Sequence, residues 1–271
     1  MSIRWSFRPG SPTPTSGSRR RAGCDPRDRR RQSPRAGHRP RIRAQAGRNI
    51  AVKSIYQEVL GRDFDRLQPE LREYFGLHAG SGQSGVGTGR FDVAGCPARF
   101  ARPAFRLTAL DNAFFPEYET SVPFTIANYP HTDPFGRPAL TARREIRFST
   151  AVRVFEDTTS LQGGRLTDYL GSRRRMATAL TCSVTDAGRM RMVSTATRLF
   201  AGIRIALPDA VGASATMEQW WDGQRFRITT RVVHRQLGTL LVYAGSFDYE
   251  LQGFDGVLPG PAQPRRWEER T

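Results

Sequence analysis

Residues 225–234 read Arg-Phe-Arg-Ile-Thr-Thr-Arg-Val-Val-His (RFRITTRVVH). Phe226, Ile228 and Val232 fall on one side of an extended chain; Arg225, Arg227, Arg231 and Arg235 fall on the other. Side chains of a strand alternate between its faces, so this pattern predicts an antiparallel sheet with one packed face and one wet face. Arg143–Phe148 repeats it, with Arg143, Glu145 and Arg147 on one side and Ile146 and Phe148 on the other. Further strands are expected over Val122–Asn128, Ala177–Val184, Met190–Leu199, Thr216–Trp221 and Gly238–Leu251, with Asp186-Ala187-Gly188 as a hairpin turn.

Upstream the period changes. Ile55, Val59 and Leu60 share a helical face bordered by Tyr56. Leu67, Leu71, Tyr74 and Phe75 recur at helical spacing in a second helix. Asp63 or Asp65 is its candidate cap, Pro69 suits its first turn and Gly76 its end. Two helices followed by about eight meandering strands predict an α+β fold: a strongly curved antiparallel sheet or half-barrel packed on N-terminal helices. Such sheets often enclose an apolar cavity.

The net charge of +17 is unevenly placed. Residues 1–48 hold 14 Arg against Asp25 and Asp28, for +12, and the remaining residues carry +5. Residues 1–49 are therefore expected to be a disordered Arg-rich tail, because they offer no apolar periodicity to offset the entropy of ordering. The tail reads as an arm for nucleic acid or an anionic membrane, as a transit peptide, or as upstream GC-rich DNA translated in frame. The last reading follows from 41 Arg against a single Lys, Lys53, and sets the native start near residue 50. Residues 50–252 are expected to form one globular domain and residues 253–271 a flexible C-terminal tail. No apolar run reaches the roughly 18–20 residues of a membrane span, and no secretory signal is visible. Cys24, Cys96 and Cys182 form no CxxC pair. Cys96 and Cys182 read as structural thiols in a reducing cytoplasm.

Chemistry-bearing motifs are sparse. Gly80-Ser81-Gly82-Gln83-Ser84-Gly85 matches GxGxxG, but a helix precedes it and an extended stretch follows, the reverse of a dinucleotide site. No cofactor or metal is expected. His131 and Asp133 lack a third ligand nearby, and GxSxG, HExxH and Walker patterns are missing. The 128–137 segment is the densest polar cluster; Asn128, Tyr129, Asp133 and Arg137 are candidate ligand contacts against a purely structural turn. Asp168 is a candidate acid or base and Tyr169 a neighbouring contact. Of Trp220 and Trp221, alternation lets one enter the core while the other lines a rim or stacks on a ligand. The arginine stripe of 225–235 reads as a solvated face, so nucleic acid is an expected partner only through the tail.

Several phrases recur together: Ser54–Phe64 (SIYQEVLGRDF), Phe115-Pro116-Glu117, Val122–Tyr129 (VPFTIANY), Asp133–Arg137 (DPFGR), Asp168–Gly171 (DYLG) and Gly238–Phe247 (GTLLVYAGSF). In this order the chain resembles the bacterial domain-of-unknown-function family 4166 over roughly residues 52–251. The resemblance implies no activity and no catalytic residues. It implies an association with oxidoreductases, because the domain sometimes follows a dehydrogenase-like domain in longer chains. Similar members tend to carry His just after the DYLG phrase, where this chain has Ser172-Arg173-Arg174-Arg175.

Four functions follow as expectations. The first is a binding module whose apolar cavity holds a small amphipathic molecule, with Asn128, Tyr129, Arg137, Tyr169 and Trp220 or Trp221 near its mouth. The second is an enzyme acting on such a molecule by proton transfer or hydration through Asp133 or Asp168. The third is a partner domain for an oxidoreductase, and the fourth a nucleic-acid binder driven by the tail.

Overall fold

The computed structural model describes residues 52–201, 203–206 and 212–271. The Arg-rich stretch of residues 1–49, Cys24 included, lies outside the described residues. Helix α1 (Ile55–Leu60) opens on a reciprocal cap. Ser54 Oγ accepts from the Gln57 amide at 3.0 Å, and Gln57 Oε1 accepts from the Ser54 amide at 2.8 Å. A 3-10 turn over Gly61–Arg66 leads to α2 (Pro69–Phe75). Neither Asp63 nor Asp65 caps α2, because that turn comes between. Gln68 holds the N-cap position, and its side chain bonds the backbone instead, donating to Trp221 O at 3.0 Å and accepting from Trp221 N at 2.9 Å.

Eleven strands follow: β1 Gln83–Gly95, β2 Tyr118–Thr132, β3 Pro138–Arg147, β4 Val152–Gln162, β5 Arg165–Leu170 and β6 Met176–Val184, then β7 Met190–Ala201, β8 Ile203–Ala206, β9 Ala213–Trp221, β10 Phe226–His234 and β11 Gly238–Gly253. Every ladder is antiparallel, in the order β6-β5-β4-β3-β2-β1-β11-β10-β9-β7-β8. Pairing of β6 with β7, from Met176↔Leu199 to Val184↔Met190, joins the ends of that row. Ten strands thus form a closed barrel, and β8 hangs on β7. The expected half-barrel is corrected to a closed barrel, and the fold is mostly β. Closure removes the two edges whose backbone N–H and C=O groups an open sheet would leave unpaired.

Glycines allow the closure at β1. A Cβ on Gly85 would lie 1.7 Å from Tyr249 Oη, and one on Gly89 would lie 2.2 Å from Ser246 O. β1 can press against β11 only without side chains there. The same GxGxxG glycines therefore serve a loop and a strand, with no helix after them.

By register, one rim carries the β2–β3, β4–β5, β6–β7 and β9–β10 turns. Helices α1 and α2 plug this rim, burying Ile55, Tyr56, Leu60, Leu71, Tyr74 and Phe75. Tyr74 packs on Tyr249, Phe226 and Phe247 at ring distances of 4.3, 5.6 and 6.1 Å. The opposite rim carries the β3–β4, β5–β6 and β10–β11 turns and the β1–β2 connection, which includes α3 (Arg102–Ala109). Residues 253–271, expected as a flexible tail, are seated on the wall. Leu258, Ala262 and Glu268 are buried, and Phe254 N donates to Gly82 O at 2.8 Å.

Candidate functional site

The barrel encloses a cavity of about 320 Å³. Alternation selects its lining: Ala142 and Arg144 from β3, Phe155, Asp157 and Thr159 from β4, Asp168 and Leu170 from β5, Thr178 and Leu180 from β6. Met192, Met217, Ile228 and Val232 supply an apolar wall opposite. Tyr56, Tyr74 and Phe75 reach it from the plugging helices. At the far rim Leu170, Met176, Thr197, Ala213, His234 and Leu240 line it.

Charge is concentrated on the β3–β4–β5 patch. Arg144 Nη1 donates to Asp157 Oδ1 at 2.5 Å. Burial works against the Arg144 charge, but Asp157 and the tyrosines 243 and 74 outweigh it and hold the guanidinium protonated. Asp168 lies opposite Thr159 and Thr178 in register and accepts from Thr159 Oγ1 at 2.9 Å. Burial, reinforced by Asp157, pushes its pKa up to about 8, so it carries its proton at neutral pH. Burial also raises the Tyr56, Tyr74 and Tyr243 hydroxyls. Asn128 Nδ2 donates to Tyr249 Oη at 3.0 Å.

Thr178 Oγ1 and Arg144 Nε, on cavity-lining side chains, are buried without a hydrogen-bond partner among the described residues, and Gln219 and Thr230 are matched only loosely, by the Tyr74 and Tyr243 hydroxyls. Leaving such groups unpaired costs about 1–3 kcal/mol each, so they ask for a polar guest or ordered water.

Of the sequence-chosen residues, Asn128 and Asp168 face this cavity. Tyr129 and Tyr169, their neighbours on the same strands, project to the outer side. Tyr129 meets Phe254 at 5.5 Å. Asp133 and Arg137 form a buried pair, Nε to Oδ2 at 2.7 Å, at the β2–β3 turn. Arg137 also donates to Tyr169 Oη at 2.9 Å, to Glu268 O at 2.9 Å and to Glu269 O at 3.2 Å. The Asp133–Arg137 turn thus clamps the C-terminal segment to the wall rather than lining the cavity. Trp221 packs on Phe226 at 5.1 Å. Trp220 turns outward under the Arg189 guanidinium at 4.8 Å.

The outer wall carries a second buried polar chain. His131 Nε2 and Thr141 Oγ1 are 2.9 Å apart, and Thr141 Oγ1 and Thr158 Oγ1 are 2.8 Å apart. Arg174 Nη2 donates to Thr158 Oγ1 at 2.6 Å and lies 3.7 Å from Glu156. Burial lowers the His131 pKa and raises that of Glu156. Arg174 takes a left-handed backbone, φ 50°, to enter this layer. Cys96 and Cys182 are free, and burial pushes the Cys182 thiol up to about 12, which leaves it a poor nucleophile. Among the described residues no group of three or more His, Cys, Asp or Glu is placed to hold a metal, and no helix is long and apolar enough to cross a membrane.

Sequence reading missed Arg144, Asp157, Tyr56, Tyr74, Tyr243 and Gln219 as cavity groups. Arg144 sits beside Arg143, and only strand parity separates the inward guanidinium from the outward one. Tyr56 bordered a core face in the helical pattern, with nothing to mark its hydroxyl end.

The chain belongs to the family described as a domain of unknown function (DUF4166), whose model matches residues 67–247. It is similar to the uncharacterized protein YndH of Bacillus subtilis (strain 168), with 25% identity over 208 residues, covering 73% of this chain and 98% of that protein. No solved structure matches the chain.

Proposed function

We propose that this barrel is a cytoplasmic binding module for a small amphipathic molecule. The observation that carries the reading is the composition of the cavity. A methionine-, leucine- and phenylalanine-lined space ends in Asp157, Arg144, Asp168 and buried polar atoms that lack partners. Ligand sites are typically apolar with a few convergent polar groups that fix orientation. Methionine walls adapt to irregular shapes. Of the sequence-chosen residues, Asn128 and Asp168 contact the guest; Asp133 and Arg137 hold the wall.

Native mass spectrometry of the full chain purified from bacteria, repeated under denaturing conditions, tests this. A discrete extra mass lost on denaturation is the expected result. A bare protein that also fails to bind neutral apolar fluorophores overturns the reading.

The protonated Asp168 favours one further use of the cavity, donation of a proton to the guest or its exchange. A captured molecule incubated in heavy water then gains carbon-bound deuterium with the wild type and not with Asp168→Asn. Equal incorporation removes this second reading.

A further inference from the structure

The β3–β4–β5 patch of the cavity holds two carboxyl groups and one guanidinium. Arg144 Nη1 is committed to Asp157. Asp168 has Thr159 as its hydrogen-bonding neighbour on one oxygen, and faces Thr178, whose hydroxyl has no partner among the described residues. Arg144 Nε is likewise buried without a partner among the described residues. An anionic head group would have only the Arg144 guanidinium to receive it, and that is already paired with Asp157. A basic nitrogen can take the proton that Asp168 holds and stay as an ammonium on its carboxylate, which has no cation paired with it among the described residues, and Tyr56, Tyr74 and Phe155 line the same cavity. We propose that the guest is an amine on an apolar body, seated with its nitrogen on Asp168.

This rests on the cavity reading above and is tested on the full chain by calorimetric titration with decylamine, decanol and decanoate. The amine is expected to bind about tenfold more tightly than the alcohol, as a charge-assisted hydrogen bond implies, and the carboxylate weakest of the three. Asp168→Asn is expected to erase the amine's advantage over decanol, with near-UV circular dichroism showing that the variant is folded. Decanol or decanoate binding as tightly as the amine overturns the head-group assignment and leaves the cavity reading standing. Binding by none of the three overturns both.

A second inference comes from the surface. Exposed large apolar side chains gather at the rim opposite the helical plug. Phe100, Leu107 and Leu110 are 62, 71 and 73% exposed in and beside α3, and Ile203, Ile205 and Leu237 are exposed on β8 and the β10–β11 turn. On the plugged-rim side, Val52 before α1, Phe135 on the β2–β3 turn and Val257 after β11 are the exposed large apolar side chains among the described residues. Helix α3 buries none of its residues completely and has a strongly one-sided apolar pattern. Arg99, Arg106 and Arg235 are exposed beside these groups, without an ion pair among the described residues. Of the acids of this rim, Glu117 is paired with Arg153, Glu119 accepts from Ser149, and Asp111 accepts from Ser172 Oγ and the Arg173 amide. Apolar side chains flanked by unpaired arginines match an anionic lipid surface. The geometry points to this rim as a docking face for such a surface, which would set the far end of the cavity against the bilayer.

Co-sedimentation with phosphatidylcholine vesicles containing about a third phosphatidylglycerol tests it. Residues 1–48 are themselves cationic, so the readout is the difference between variants of the full chain. Leu107→Glu with Leu110→Glu is expected to cut the pelleted fraction severalfold, and Phe135→Glu at the other rim to leave it unchanged. Equal pelleting by both variants and the wild type, or no pelleting at all, overturns the assignment.

Discussion

Replacing Asp168 by Asn should change how stability depends on pH. The carboxyl has a pKa of about 8 in the barrel, against about 3.9 in an unfolded chain. Its folded-state pKa is the raised one, so between these values the native state holds a proton that the unfolded state has released. Stability therefore falls as pH rises through this window, and the contribution is flat above about pH 8 and below about pH 4. The limiting slope is about 1.4 kcal/mol per pH unit. From pH 5 to pH 7 the wild type should lose up to about 2–3 kcal/mol relative to the Asn variant, less where water in the cavity screens the carboxylate. Urea unfolding followed by tryptophan fluorescence at pH 5, 6, 7 and 8 gives the two stability curves. His131, which burial holds neutral, titrates in both proteins and cancels in the difference. Curves that run parallel from pH 5 to pH 8 would refute the reasoning, because they would mean that Asp168 does not keep its proton on folding.

Three further outcomes follow from the packing. Arg137→Ala removes the cation paired with buried Asp133 but keeps its bonds from the Phe135 and 137 amides and Ser160 Oγ, so stability should drop by up to about 3–5 kcal/mol in denaturant titration, and Asp133→Asn added to it should recover part of the loss. Leu71→Ala opens a void where α2 meets the barrel, at an expected cost of about 2–5 kcal/mol in the same assay. Gly89→Val forces a side chain into the β11 backbone; near-UV circular dichroism should lose its fixed aromatic signal, since Phe124, the β2 partner of Gly89, stacks on Phe91 at 3.8 Å.

The parts of the fold that could be read from sequence are those with one wet face. Arg225–His234 and Arg143–Phe148 alternate cleanly because their outer sides meet water. β4 escaped because Phe155–Ser160 are buried on both faces: inward by the cavity, outward by the layer of Arg174, the 111–113 turn and the C-terminal segment. A strand covered on both sides has no polar-apolar alternation to display. The candidate site suffered from the opposite ambiguity. Asn128-Tyr129 and Asp168-Tyr169 were each chosen as a pair, yet adjacent residues of a strand cannot both face one cavity. Barrel closure depends on β1 meeting β11 and β6 meeting β7, and the first of these has no local signature at all.

The order of the strands in space has a consequence for how the molecule is made. Helices α1 and α2 leave the ribosome before every strand, yet Tyr74 finds its ring partners in Phe226, Phe247 and Tyr249 near the other end of the chain. The first strand waits for the last, Gln83 pairing with Gly253. Contacts this distant along the chain fold slowly, because loop-closure entropy is spent before any pairing rewards it. Until β10 and β11 are made, Tyr74 lacks the rings of Phe226, Phe247 and Tyr249 on which it packs. The barrel is thus a post-translational structure, and its biogenesis should be more sensitive to the supply of chaperones than its finished stability suggests.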